Sequence, residues 1–279
     1  MDRVYIIGNG YIGDCITDNY GHAYDFVGVC RSIKNNCNKN ISSDISKDNK
    51  ILSNLIDKRG TVIYLAPPQS NGHIDLTLNN FLTNVDKSNI TRIIYISTSG
   101  VYGDKKDKLV NEKAKLNPIT SRAIRRVDAE NQIQQSTIKY IILRVPGIYG
   151  SNRLPLKRIK DRLPLIKPDI CKHTNLIHAK DLSKIIIRCI SDNNVDNIIM
   201  NVSDGKAIKT TDYYLHIYDA LKIKYPEFIN YEQANTIYDE KRKSFINESR
   251  KLDVTLMNTI FPNIIEFKSV VEGIKESLE

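Results

Sequence analysis

Three glycines stand directly behind the apolar run Val4–Ile7, in the order Gly8-Asn9-Gly10-Tyr11-Ile12-Gly13, and a helix-like pattern begins with them. This G-x-G-x-x-G spacing between a strand and a helix suits a particular task. The first glycine permits a tight turn, the second lets backbone approach a pyrophosphate, and the third lets the helix pack closely on a sheet. The anion then rests on the positively polarised helix start. The competing reading is a glycine-rich turn that holds nothing. The motif predicts a dinucleotide phosphate site at Gly8, Asn9, Gly10, Tyr11, Ile12 and Gly13.

The end of the next strand should choose the dinucleotide. NAD binders place Asp or Glu there, against the ribose 2′-hydroxyl. Here the chain reads Val29-Cys30-Arg31-Ser32, without an acid, and Lys34 follows closely. A guanidinium can pair with a 2′-phosphate through two parallel hydrogen bonds. Arg31 and Ser32 therefore predict NADP in preference to NAD; alternatively Arg31 stacks on adenine or faces solvent. Asp44, after the expected third strand, either bonds the adenine amine or is a solvated loop residue.

These residues need a scaffold that brings strand ends together. Short apolar runs recur at Val4–Ile7, Phe26–Cys30, Val62–Ala66, Ile93–Ser97 and Tyr140–Arg144. Between them lie helix-spaced segments, among them Ile51–Ile56, Ile74–Val85 and Ala123–Gln135. Continuous apolar strands alternating with helices predict an α/β fold with a doubly wound parallel sheet, buried on both faces. The pattern loosens after Ser151, where residues 151–175 carry Pro155, Pro164 and Pro168. It returns at Asp181–Cys189 and Asn197–Val202, and Asp212–Leu221 and Ser269–Leu278 read as helices. The expected division is a dinucleotide-binding domain over 1–150, with a return segment near 176–204. Residues 151–175 and 205–279 would form a smaller, mainly C-terminal lobe.

Composition narrows the class. A chain of 279 residues with 41% hydrophobic and 26% charged content is ordinary for a soluble globular protein. No apolar run approaches the roughly 18 residues that a membrane span requires, and the first residues do not read as a secretion signal. The five cysteines, Cys15, Cys30, Cys37, Cys171 and Cys189, form no pair or metal-ligand spacing. Scattered free thiols suit the cytoplasm, and no metal is expected. The net charge of +9 favours an anionic small-molecule partner. No nucleic-acid motif accompanies it, and the abundance of Lys, Asn and Ile reads equally as compositional bias.

Five motifs then occur in order: GNGYIG at 8–13, VIYLAPP at 62–68, YISTSGVYGD at 95–104, LRVPGIYG at 143–150 and NLIHAKDL at 175–182. Together they resemble the extended and atypical short-chain dehydrogenase/reductases, the NAD(P)-dependent epimerase/dehydratase family, over roughly residues 1–204. The resemblance implies a Rossmann sheet with a smaller substrate lobe. It also implies an oxidoreductase or isomerase acting on nucleotide sugars or related carbonyl compounds, with hydride passing between substrate and nicotinamide C4. Thr98 matches the family's active-site Ser/Thr, which bonds the reacting oxygen; alternatively it caps strand-end backbone. Tyr102 and Gly103 match the element beside the substrate. Ala66, Pro67 and Pro68 match the loop along the cofactor, and Pro146 with Gly147 the turn near the nicotinamide. His178 and Asp181 match an element outside the chemistry. Relatives often pair through helices beside the active site, which makes a homodimer a candidate state.

One element departs from the family. Its tyrosine and lysine, four residues apart on a helix, correspond here to Arg122 and Arg126. Arginine does not release its proton at accessible pH. Arg126 can still bond ribose hydroxyls, and Arg122 can hold an anion or polarise a carbonyl, but neither relays a proton. Losing a general acid/base costs about 10²–10⁴-fold in rate. Tyr102 and Tyr149 are the candidate substitutes. If neither serves, the chain is a cofactor-binding sensor or assembly protein. Residues 153–172 add Arg153, Lys157, Arg158, Lys160, Arg162, Lys167 and Lys172 against Asp161 and Asp169, a charge that either draws a phosphorylated ligand or merely solvates a surface.

Overall fold

The computed structural model describes residues 2–192 and 194–279. The chain divides into two compact units. The first comprises Met1–Val101, Pro118–Arg144 and Leu182–Met200, and the second Tyr102–Asn117, Val145–Asp181 and Asn201–Glu279.

The first unit is built on a seven-stranded sheet. Its first five strands are β1 (Arg3–Ile7), β2 (Asp25–Cys30), β3 (Lys39–Ser42), β4 (Gly60–Tyr64) and β5 (Ile90–Thr98). Across the sheet the order is Ile198–Asn201, Tyr140–Val145, β5, β4, β1, β2, β3. β1 pairs in parallel with both β2 and β4, β2 with β3, and β4 with β5. The chain thus leaves β1 in one direction and returns on its other side at β4. In open α/β sheets, ligands bind outside the carboxyl ends of the strands where the order reverses in this way.

The inner strands β1, β2 and β4 are largely buried and apolar rather than alternating, as strands covered on both faces must be, while the edge strand β3 is polar and exposed at its ends. All five residues of β4 are buried. The helices are α1 (Tyr11–Tyr20), α2 (Asn49–Leu55), α3 (Leu76–Asn84) and α4 (Ser121–Gln135). Three start on a side-chain cap: Asp48 accepts from Ile51 N–H, Asp75 from Leu78 N–H and Thr120 from Ala123 N–H. Leu52, Leu78, Phe81 and Ile133 from these helices pack with Tyr5, Val62, Tyr64 and Ile93 of the sheet. The expected strand Val62–Ala66 begins and ends two residues earlier. The amides of Leu65 and Ala66 both turn back to the carbonyl of Ile7.

In the second unit, helix Thr210–Ala220 packs against the last helix, Val270–Leu278. Between them lies a core that includes Tyr149, Leu176, Tyr213, Tyr218 and Ile274. A short parallel pair aligns Leu176–His178 with Gly147–Tyr149. Among the described residues no helix is long and apolar enough to cross a membrane.

Candidate active site

The parallel registers place Ile7, Val29 and Tyr64 side by side, so the residues just beyond them share one edge of the sheet. Those residues are the glycine turn, Arg31 and Ala66; Thr98, the last residue of β5, stands at the same edge. The sheet thereby gathers motifs separated by about ninety positions in sequence.

The turn is made as its glycines require. Gly8 has φ of +86°, and a Cβ there would lie 2.4 Å from Ala66 N and 2.6 Å from Ala66 Cα. The amides of Gly8 and Asn9 both donate to the carbonyl of Val29, at 2.9 Å. At Gly10 a Cβ would meet only Gly8 O, at 3.8 Å, so this backbone faces open space. Among the described residues no side chain caps the start of α1, and a helix start of this kind presents backbone N–H groups to an anion. A dinucleotide phosphate fits this cradle. Asn9 is turned inward instead: fully buried, its Nδ2 donates to Asn36 Oδ1 at 2.9 Å, and a Cβ on Gly13 would lie 2.2 Å from its Oδ1. Asn9 shapes the turn from behind, and its side chain does not reach the open side.

At the end of β2, Arg31 and Ser32 are exposed. Lys34 is committed elsewhere: its ammonium bonds both carboxylate oxygens of Asp14 in the first turn of α1, at 2.5 and 2.6 Å. Asn36 donates to the same carboxylate. Asp44 accepts from the amide and the hydroxyl of Ser46, and these bonds hold its carboxyl below the ordinary range. It caps a turn after β3. Sequence reasoning missed the Asp14–Lys34–Asn36 clamp. An acid, a lysine and an amide spread over 22 positions leave no local pattern.

Thr98 accepts from the amide of Gly100 through Oγ1, at 3.2 Å. Its own hydroxyl proton remains available to donate. Arg122 and Arg126 lie one turn apart on α4, the first exposed and the second half-buried. Arg126 Nη1 donates to Tyr95 Oη at 2.7 Å, and its guanidinium lies 5.4 Å from the centre of that ring. Burial lifts the Tyr95 phenol to about 12, against the pull of Arg126 in the other direction. Tyr95 is therefore a protonated partner near neutrality and not a proton shuttle. Asp75 lies close by and is fully buried, with its carboxyl raised by that burial.

A buried ion pair stands behind α4. Arg144 donates from Nη2 to Glu130 Oε2 at 2.7 Å and from Nε to Oε1 at 3.1 Å, and Ser97 Oγ donates to Oε1 at 2.5 Å. The carboxylate thus ties α4 to β5 and to strand Tyr140–Val145. Neither Glu130 nor Arg144 was singled out by sequence.

Two candidate proton carriers are corrected. In the second unit Tyr102 is fully buried and donates its hydroxyl to Asn201 Oδ1 at 2.6 Å. Asn201 in turn donates to the carbonyls of Val110 and Asp253. That phenol holds the lobe together. Tyr149 is also buried, and a Cβ on Gly273 would lie 2.3 Å from its hydroxyl. Burial pushes its acidity far outside the useful range. Pro146 is half-buried and Gly147 exposed. His178 Nε2 lies 2.9 Å from Glu276, and Asp181 accepts from the amides of Glu266 and Phe267. Both residues tie chain segments together inside the second unit.

Comparison with known proteins agrees with this architecture. Residues 69–159 match the family model described as the RmlD substrate binding domain. WbmH from Bordetella bronchiseptica, solved with NAD+, is 20% identical, with a TM-score of 0.80 covering 100% of this chain and 97% of that one. UDP-glucuronic acid 4-epimerase from Bacillus cereus, solved with NAD, is 17% identical, with a TM-score of 0.79 over 98% and 96% of the two chains. UDP-glucose 4-epimerase from Thermotoga maritima, solved with UDP-glucose, is 18% identical, with a TM-score of 0.79 over 99% and 97%. No curated protein matches the sequence. The expected doubly wound α/β fold is borne out along the whole chain, and the sequence match to the RmlD substrate binding domain lies within residues 69–159.

Proposed function

We propose that the chain is an NADP-preferring oxidoreductase or isomerase of the epimerase/dehydratase type, acting on a nucleotide-sugar-like or small carbonyl compound. The observation that carries this reading is the open backbone at Gly10, on a strand edge shared with Arg31 and Thr98. When bound there, the cofactor supplies hydride exchange at its nicotinamide. The protein's own residues supply the rest. The Thr98 hydroxyl donates to the reacting oxygen. Arg122 offers a fixed positive charge that stabilises negative charge developing on that oxygen. Arg126, held on Tyr95, would be the residue that donates to the ribose hydroxyls.

Arg31 gives the specificity test. Arg31→Ala should weaken NADPH binding about 10- to 100-fold, the worth of a charge-assisted bidentate pair, and leave NADH binding unchanged. Fluorescence titration of both reduced nucleotides measures this, and an equal loss for the two would remove the NADP preference.

A second reading has support of its own. Tyr102 and Tyr149 keep their hydroxyls inside the second unit, and Arg126 is bonded to a buried phenol. A chain so arranged can bind cofactor and still lack a proton relay, serving as a sensor or assembly protein. Arg122→Tyr combined with Arg126→Lys separates the two readings. Turnover by the natural protein with NADPH on a panel of nucleotide sugars and carbonyl compounds supports the enzyme. Turnover by the double variant alone supports the non-catalytic binder.

A further inference from the structure

Two cysteines bracket the turn from β2 to β3: Cys30 ends β2, and Cys37 stands just before β3. Their spacing matches no pairing pattern, and the function proposed above uses neither. The structure brings both to one face of one strand. A Cβ on Gly28 would lie 2.7 Å from Cys37 Sγ, so the Cys37 thiol rests on the bare backbone of Gly28. Side chains two positions apart on a strand share a face. Cys30 therefore projects on the same side as Cys37, about 7 Å further along β2 than Gly28. The thiols are close enough that charge on Cys30 disfavours charge on Cys37.

Both cysteines are half-buried. Cys30 donates to Ser32 O at 3.0 Å, and Cys37 accepts from Asn9 Nδ2 at 3.5 Å. Burial, and then the Asp14 carboxylate, pushes the Cys37 thiol up to about 11. Cys37 is therefore the slower nucleophile of the two. Residues 31–36 between them form neither helix nor strand and are held by side chains: Lys34 and Asn36 on Asp14, and Asn36 also on Thr17. The pairing of β3 with β2 starts only at Lys39. Cys37 can thus slide along β2 toward Cys30 without breaking the ladder, which brings the two Cα atoms within the about 4.4–6.8 Å that a disulfide needs.

We infer that Cys30 and Cys37 are a redox-active dithiol whose closure to a disulfide weakens nucleotide binding at the end of β2; the effect on the nucleotide rests on the function proposed above, and the disulfide does not. The oxidant is a small soluble disulfide such as glutathione disulfide. The Cys30 thiolate attacks one of its sulfurs, the glutathione S–S bond breaks, and one glutathione thiolate leaves and takes up a proton. The Cys37 thiolate then attacks Cys30 Sγ of the mixed disulfide and expels the second glutathione thiolate, which is protonated in turn. Two protein thiols are oxidised, and one glutathione disulfide is reduced to two glutathiones. Arg31 and Ser32 lie inside the ring so closed, and pulling Cys37 toward Cys30 takes Arg31 out of its two-point reach to a 2′-phosphate.

Mass spectrometry of the full chain tests the site. Reduced protein incubated with glutathione disulfide should lose the mass of two hydrogens and regain it with dithiothreitol. Trypsin cuts after Arg31 and Lys34, so the two cysteines fall in separate peptides, which should be recovered joined. Cys37→Ser should stop with one glutathione on Cys30, Cys30→Ser should not close, and Cys15→Ser should close as the natural chain does. In calorimetric titrations the oxidised chain should bind NADPH about 10-fold or more weakly than the reduced chain, the worth of a charge-assisted pair. Cys30→Ser should bind it equally before and after the oxidant. A natural chain that keeps its mass, stops at the glutathione adduct, or joins either cysteine to Cys15 overturns the dithiol. A disulfide with equal NADPH affinity in both forms overturns the switch. A reduced chain that binds no NADPH sinks the proposed function and the switch with it, while the mass still reports the disulfide.

Discussion

Gly10→Val should abolish nicotinamide-nucleotide binding and leave the protein folded. A Cβ at this position meets nothing closer than 3.8 Å in the protein itself, so the substitution creates no internal clash. Its branches instead occupy the space that a pyrophosphate needs against the start of α1. Losing that contact should weaken NADPH and NADH alike by 100-fold or more, on the order of 3 kcal/mol, while the melting temperature stays near that of the natural protein. Gly8→Val provides the contrast. There the φ of +86° and the approach to Ala66 N at 2.4 Å penalise the fold itself. Strained backbone of this kind costs about 1–3 kcal/mol before the clash is counted, so this variant should lose both binding and thermal stability. Nucleotide titrations and thermal melts of the pair decide the matter. Unchanged affinity in Gly10→Val would mean that the turn holds no phosphate.

The second large effect concerns Glu130 and Arg144. Their side chains are 2% and 3% exposed, and Glu130 also accepts the Ser97 hydroxyl. Arg144→Met removes the cation and strands a carboxylate in the interior. Breaking a buried pair from one side costs about 3–5 kcal/mol, which corresponds to a fall of roughly 6–20 °C in the melting temperature of the first unit. Glu130→Leu combined with Arg144→Met should recover most of that loss, because burying two apolar groups of similar volume is close to neutral against a buried ion pair. Denaturation curves of the single and double variants measure the coupling. If the double variant is as unstable as Arg144→Met, the pair is not the cause. Because the pair joins α4 to the sheet, Arg144→Met should also loosen Arg122 and Arg126.

Hydrophobic patterning and glycine spacing make the first unit legible in the sequence. Strands buried on both faces must be apolar along their length, so Val4–Ile7, Phe26–Cys30 and Tyr140–Arg144 stood out. The turn after β1 was equally plain, since φ of +86° beside Ala66 admits little but glycine. Arg31, Thr98, Arg122 and Arg126 could be placed because each stands at a fixed step from such an element. The motif order also pointed to the extended short-chain dehydrogenase/reductase fold.

The partners of those residues were decided by tertiary structure. Nothing local says that Lys34 will choose Asp14, that Arg126 will choose Tyr95, or that Tyr102 will give its hydroxyl to an asparagine 99 positions away. A long polar side chain can reach several acceptors, and the chosen one is whichever the packing of distant segments leaves unsolvated beside it. The same holds for an arginine pair of the second unit. Arg158 looked like one basic residue among seven, and Arg242 carried no signal at all. Only the fold sets them over the same two tyrosine rings. Periodicity records which side of an element is buried, because burial repeats with the helix or strand; pairing between remote polar groups repeats with nothing, and so it emerges only when the chain is folded.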